Sequence, residues 1–162
     1  MKKIIFLAIF SLASLLARSQ EIPSWKLNDL QRYLGNEQGV LVVNFWATFC
    51  KPCLEEMPHL LSLAEKYRDK DLKLLLVSLD MPEMYPKKIR RLVKKKKFKA
   101  PVVWLNETNA DVFCPAIDPK WSGSIPATLF MNTVTGYRKF VEGNMDAEAL
   151  EKAIIKAIEA RL

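Results

Sequence analysis

Val40-Leu41-Val42-Val43-Asn44-Phe45-Trp46-Ala47-Thr48-Phe49-Cys50-Lys51-Pro52-Cys53 is the stretch whose reading decides the fold. Its first seven residues form an apolar, β-branched run of strand length. Beyond Cys50, residues 50 to 67 read as a helix, with Leu54, Met57, Leu60, Leu61 and Ala64 on one side. Pro58 interrupts its spacing and is expected to kink that helix, because it removes the hydrogen bond to the carbonyl of Leu54. A C-x-x-C pair therefore sits where a strand hands over to a helix. A cysteine at that place meets unpaired backbone N–H groups and the positive end of the helix dipole. Both stabilise thiolate over thiol and draw the pKa into roughly the 3.5–7.5 range. Cys50 is thus expected to be the exposed nucleophile. Cys53, about one turn further in, is expected to be the buried, resolving thiol. Lys51 adds a cation beside the nucleophile. Pro52 presets φ at the helix start, where its missing N–H matters least.

Two other uses of the pair compete. A structural disulfide between cysteines three apart closes a tiny loop and gains little from loop entropy. A metal site needs two further ligands at matched spacing. The chain offers only Cys114 and His59, with no paired spacing. No metal and no cofactor are expected.

Outward from this stretch, strands and helices alternate. Leu27, Leu30, Tyr33 and Leu34 have helical spacing, and Asn36 to Gly39 read as a turn. Leu72 to Leu79 is a second buried strand. Pro86 to Lys97 is a basic helix with Ile89, Leu92 and Val93 inward. Pro101 to Leu105 is a third strand, and 106–124 reads as irregular, with Pro115, Pro119 and Gly123. Ala127 to Met131 and Tyr137 to Glu142 suit a hairpin closed by a Gly-containing loop. Leu150, Ile154, Ile158 and Leu162 mark a final amphipathic helix, with Asp146 as its N-cap. Helix crossovers require parallel pairing and the hairpin requires antiparallel pairing. The expected fold is α/β, a mixed central β-sheet flanked by helices.

The chain has 162 residues, half of them apolar, and 25 basic against 18 acidic side chains. That excludes a disordered chain, and three cysteines are too few for a disulfide-built scaffold. Lys2 and Lys3, the uncharged run Ile4 to Leu16, and Ala17-Arg18-Ser19 have the layout of a secretory signal peptide. The apolar run is shorter than a membrane span requires. Residues 1–19 are therefore expected to be a cleaved signal and 20–162 a single domain, with no stable membrane insertion after cleavage. Losing Lys2, Lys3 and Arg18 lowers the net charge from +7 to +4. The cysteines then lie in a compartment that permits disulfides.

Val43 to Cys53, followed by Glu55-Glu56-Met57-Pro58, resembles the exported thioredoxin-like thiol-disulfide oxidoreductases of the TlpA/ResA group. Ser124-Ile125-Pro126-Ala127-Thr128-Leu129-Phe130 is similar to that group's cis-proline loop. The resemblance covers residues 23 to 162. It implies a thioredoxin-like fold and dithiol-disulfide exchange with protein thiols or disulfides. It favours the reducing direction, as in cytochrome c maturation or thiol repair. It further implies recharging by a membrane electron-carrier protein and a periplasmic location. A disulfide-donating oxidase, a thiol peroxidase and a non-enzymatic binding module are the alternatives.

The resemblance also assigns roles to residues that spacing leaves open. Pro126 reads either as an ordinary loop proline or as a cis-proline that presents the Ile125 backbone to an extended substrate. The resemblance implies the second. Trp46 and Phe49 join Ile125 and Pro126 as expected substrate contacts. Phe49 stands where the group commonly has Trp, and the Lys-Pro pair between the cysteines differs from thioredoxin's Gly-Pro. Glu56 shares a helix face with Cys53. It is either a solvated helix glutamate or, as the resemblance implies, a carboxyl beneath the cysteines with a raised pKa. In that place it can take and return the Cys53 proton. Glu55 and His59 read as helix-surface residues, Cys114 as a small buried hydrophobe and Trp121 as packing. The basic stretch Lys87 to Lys97 reads as a solvated face, or else as a patch for an acidic partner or an anionic lipid surface. Nucleic-acid binding does not fit export.

Overall fold

A computed structural model describes residues 21–161 of the chain, so the expected signal peptide lies outside the described residues. Six strands form one mixed sheet in the order β1-β4-β3-β2-β5-β6. They are β1 (Ser24–Trp25), β2 (Val40–Trp46), β3 (Leu72–Ser78), β4 (Val102–Leu105), β5 (Ala127–Asn132) and β6 (Tyr137–Glu142). The helices are α1 (Leu27–Asn36), α2 (Lys51–Lys66), α3 (Lys87–Lys96), α4 (Ala110–Ile117) and α5 (Ala147–Glu159). This is the thioredoxin-like α/β fold expected from the sequence.

β2 lies at the centre because all seven of its residues are buried, which demands cover on both faces of the sheet. It pairs in parallel with β3, from Val40 opposite Leu72 to Trp46 opposite Ser78. It pairs antiparallel with β5, from Val40 opposite Asn132 to Phe45 opposite Ala127. Side chains alternate along each strand and so build two cores. Val40, Val42, Trp46, Leu74 and Leu76 face Met57 and Leu60 of α2, Ile89 and Val93 of α3, and Leu150 and Ile154 of α5. Val43, Phe45, Leu75 and Val77 face Leu30 and Leu34 of α1 and Phe113 and Ile117 of α4. Trp121 packs there against Phe45, Phe113 and Phe140. Asp146 caps α5, accepting from the Ala149 N–H at 2.8 Å.

The structure corrects or adds to the local expectations at three places. Residues 106–124 are not wholly irregular, since α4 lies within them. Asn109 caps it by accepting from the Asp111 N–H at 3.1 Å, and Phe113 and Ile117 bury one side. Pro115 inside the helix hides it from a periodicity reading. Second, α2 continues as one helix on both sides of Pro58, as its helical reading expected. Met57, Leu60 and Leu63 anchor both halves in the core, which offsets the one lost backbone bond. Third, β1 is only two residues long and carries no pattern. It exists because the carbonyls of Pro23 and Trp25 accept from the Trp104 and Asn106 N–H groups at 2.9 and 2.8 Å. The Tyr85–Pro86 bond is cis, which no local signal announced.

Leu60 is 1% exposed where α2 meets the sheet. Leu60→Ala is expected to lower unfolding stability by about 2–5 kcal/mol, read from denaturant midpoints.

Candidate active site

β2 ends at Trp46, and the chain turns through Ala47, Thr48 and Phe49 before α2 begins at Lys51. Cys50 is the N-cap of α2, and its Sγ accepts from the Cys53 N–H at 3.2 Å. Cys50 and Cys53 are joined as a disulfide, with their Cα atoms 5.3 Å apart. Cys53 is 1% exposed, as expected of the inner sulfur, but Cys50 is only 7% exposed. The expectation of an exposed Cys50 is corrected: the residue is buried as part of the core that includes Trp46, Ala47 and Met57.

The turn is held by a residue that sequence reasoning missed. Asp80, two residues past β3, is 3% exposed. Its carboxylate accepts from the Thr48 N–H at 3.0 Å, from the Thr48 hydroxyl, and from the Ser78 hydroxyl at 2.7 Å. The Trp104 indole N–H donates to the Asp80 carbonyl at 2.8 Å. Its only sequence signal is an acid closing an apolar strand, and that says nothing about its partner until β3 is paired with β2.

Opposite the disulfide lies the segment 122–126. Glu142 of β6 accepts from the Ser122 hydroxyl and N–H and from the Ser124 N–H. Those bonds, the Ser122 hydroxyl first, hold its carboxyl below the usual carboxylate range. The Trp121 indole donates to the Ser124 carbonyl at 2.9 Å. The Ile125–Pro126 peptide is cis. The Pro126 carbonyl accepts from the Gly143 N–H at 2.8 Å, whereas the Ile125 N–H and carbonyl have no partner among the described residues. Phe49, Met81, Pro82, Trp104, Phe113 and Ile125 line a groove of about 410 Å³ beside this loop. Phe49 and Met81 are each 59% exposed at it. Trp46, expected among the substrate contacts, is corrected: it is 0% exposed and packs edge-on against Phe98. The alternation of β2 turns its ring into the core under α2.

Glu56 is buried at 2% exposure. Its Oε2 accepts from the Met145 N–H at 2.7 Å and its Oε1 from Asn44 Nδ2 at 3.2 Å. Asn44 Nδ2 also donates to the Thr128 hydroxyl at 2.9 Å, so one side chain ties Glu56 to β5. Burial raises the Glu56 pKa, and the Met145 and Asn44 donors and His59 pull it back only in part. The carboxyl therefore keeps its proton to a higher pH than a solvated glutamate, on the helix face it shares with Cys53. Glu55 and His59 are exposed, as expected. Cys114 is a free, buried thiol whose pKa burial pushes up to about 11, so it is a poor nucleophile. Among the described residues no cluster of His, Cys, Asp or Glu has the arrangement of a metal site.

Two outcomes follow. Glu56 has a higher pKa folded than unfolded, so its protonation favours the folded state. That contribution is full below the unfolded carboxylate pKa and is lost as pH rises through the folded one. In denaturation series, wild-type stability measured against Glu56→Gln should fall from acid to neutral pH; a pH-independent difference would refute the raised pKa. Asp80→Ala strips the turn of its acceptor and should lower stability by about 1–3 kcal/mol, measured by thermal melts of the oxidised protein.

Comparison with known proteins places this geometry. The thiol-disulfide oxidoreductase ResA of Oceanobacillus iheyensis is 29% identical over 111 residues, covering 68% of this chain and 53% of that protein. The chain spans a little over half the length of the first curated relatives it matches. The crystal structure of a thioredoxin-related protein from Neisseria meningitidis serogroup B superposes with a TM-score of 0.68 at 24% identity. That match covers 86% of this chain and all of the other. A thiol:disulfide interchange protein of the thioredoxin family from Chlorobium tepidum gives a TM-score of 0.60 at 15% identity, over 74% of this chain and 80% of the other. At those identities the structures bear on the fold alone. Residues 13–133 match the AhpC/TSA family, three quarters of the chain, and the protein belongs to that family.

Proposed function

We propose that this protein is an exported thiol-disulfide oxidoreductase that reduces disulfides in protein partners through Cys50 and Cys53. The observation that carries the reading is the disulfide at the N-cap of α2, with the buried Glu56, whose pKa burial raises, on the inner side of the same helix. The ResA relatives support the same chemistry.

In the reduced form, the Cys50 thiolate attacks one sulfur of a partner disulfide. A mixed disulfide forms, and the partner's other sulfur leaves as a thiolate. Cys53 then gives its proton to Glu56 and attacks Cys50 Sγ. The Cys50–Cys53 bond forms as the mixed disulfide breaks, and the second partner thiolate leaves. Two electrons pass from the pair to the partner. A second dithiol protein returns the pair to the reduced state; a membrane electron carrier is the proposed source. The unpartnered Ile125 N–H and carbonyl suit pairing with an extended partner segment. Phe49 and the groove beside it take an apolar side chain from that segment.

Export rests on the leader-like layout of residues 2–19, and the periplasm is the proposed site of action. No helix among the described residues is long and apolar enough to cross a membrane. Cytochrome c maturation and repair of exported thiols are the proposed contexts. A thiol peroxidase would use Thr48 and an arginine to activate Cys50. Here the Thr48 hydroxyl is given to Asp80, and no arginine among the described residues bonds to Cys50.

The deciding measurement is the reduction potential of the Cys50–Cys53 couple in thiol buffers. A reductant is expected near the thioredoxin value of roughly −270 mV, and a value near roughly −120 mV would make the protein a disulfide donor instead. Cys53→Ala should trap partners as mixed disulfides through Cys50; a binding module would hold them non-covalently. Glu56→Gln should slow release from that mixed disulfide by roughly 100-fold at neutral pH in stopped-flow exchange, with the first attack by Cys50 little changed.

A further inference from the structure

Between Lys87 and Lys99 the chain carries nine cations, seven lysines and two arginines, and no acidic residue. All nine are exposed. None forms an ion pair among the described residues; the pairs that exist there involve Arg32, Lys51, Lys66, Arg68, Lys73 and Arg138. Outside the last turn, these charges do not serve the helix that bears them. Lys87 and Lys88 stand in the first turn of α3, which has no acidic residue to match the helix dipole. Lys87 and Arg91, Arg90 and Lys94, and Arg91 and Lys95 are like-charged neighbours four apart, which destabilise a helix. Only Lys94, Lys95 and Lys96, in the last turn, suit the dipole.

The fold holds α3 from beneath, through buried Ile89 and Val93. At its C-terminal end, Lys96, Lys97 and Lys99 rim an apolar groove of about 700 Å³ that includes Leu54, Leu61 and Phe98. Unpaired cations around an apolar trough match an anionic amphiphile, with its head on the lysines and its chain against the trough. A protein partner fits less well, because lysine is depleted at protein interfaces while arginine and aromatic residues are enriched. An anionic bilayer needs no such geometry and attracts each added cation additively.

We propose that α3 and the Lys97–Lys99 segment form a docking surface for an anionic phospholipid membrane. The surface lies on α3 and the segment after it, and none of its residues lines the groove of Phe49 and Ile125, so docking leaves that groove free. This reading does not depend on the direction of electron flow.

The test uses the chain from Glu21 onward, which carries every strand, helix and core residue described above, so that the apolar leader contributes nothing. Sedimentation with vesicles of phosphatidylglycerol in phosphatidylcholine is compared with phosphatidylcholine alone, at low and high salt. Binding is expected to need the anionic lipid and to be lost at high salt. The variant Arg90→Gln, Arg91→Gln, Lys94→Gln, Lys95→Gln should bind roughly 100- to 1,000-fold more weakly. Its circular dichroism melt and its disulfide exchange with dithiothreitol should match the parent. Equal binding by parent and variant, or no dependence on phosphatidylglycerol, overturns the proposal. Binding to polyglutamate without binding to the vesicles also overturns it and assigns the surface to an acidic protein.

Discussion

The site depends on one buried carboxylate. Asp80 accepts from both the N–H and the hydroxyl of Thr48, and so fixes where β2 stops and α2 starts. A polar group at 3% exposure is tolerable only when it is hydrogen-bonded, so the turn and the acid hold each other in place. Cys50 follows as the N-cap, and its sulfur accepts from the Cys53 N–H in the first turn of the helix. The position that lowers a thiol's pKa is thus set by a contact between the ends of two parallel strands, not by the C-x-x-C spacing itself.

A second buried carboxylate stands on the inner side of the same helix. Glu56 is held by Met145 from the β6–α5 connection and by Asn44 from β2, and Asn44 also reaches Thr128 of β5. The two acids divide the work by their surroundings. Asp80 is ringed by donors and fixes backbone. Glu56 has two donors against desolvation by burial, and burial wins, so its pKa is raised. The Ile125–Pro126 loop faces the pair from the other side, tied by Glu142 and Trp121, with the Ile125 backbone left open. Both flanking segments are therefore held by hydrogen bonds, while the Ile125 backbone edge is left unpaired. The exposed Phe49 and Met81 extend that edge as an apolar surface.

The charge of the chain is concentrated away from this chemistry. Seven of the nine cations of residues 87–99 lie along α3, whose apolar side is spent on the core, and Lys97 and Lys99 follow its end. The helix keeps its shape because Ile89 and Val93 are buried against the sheet, which outweighs the repulsion along its surface.

Much of the fold was legible in order along the chain. The run from Val40 to Trp46 reads as a strand, and the spacing of Leu54, Met57, Leu60, Leu61 and Ala64 reads as a helix, as the structure has them. Those patterns, with the hairpin of β5 and β6, determined the mixed sheet and placed the cysteines at a strand-to-helix junction, because burial imposes its period directly on sequence. What lacked a period was not legible. β1 is too short, and α4 is masked by Pro115. Trp46 belongs to the motif, yet strand parity turns it inward. The bonds of Asp80 to Thr48, of Glu56 to Met145 and of Asn44 to Thr128 join residues 32, 89 and 84 apart. Sequence alone determined which residues could do the chemistry and that a helix would begin at them. Only the tertiary structure decided how far each is buried and what holds it, because desolvation and hydrogen bonding depend on neighbours that local pattern does not encode.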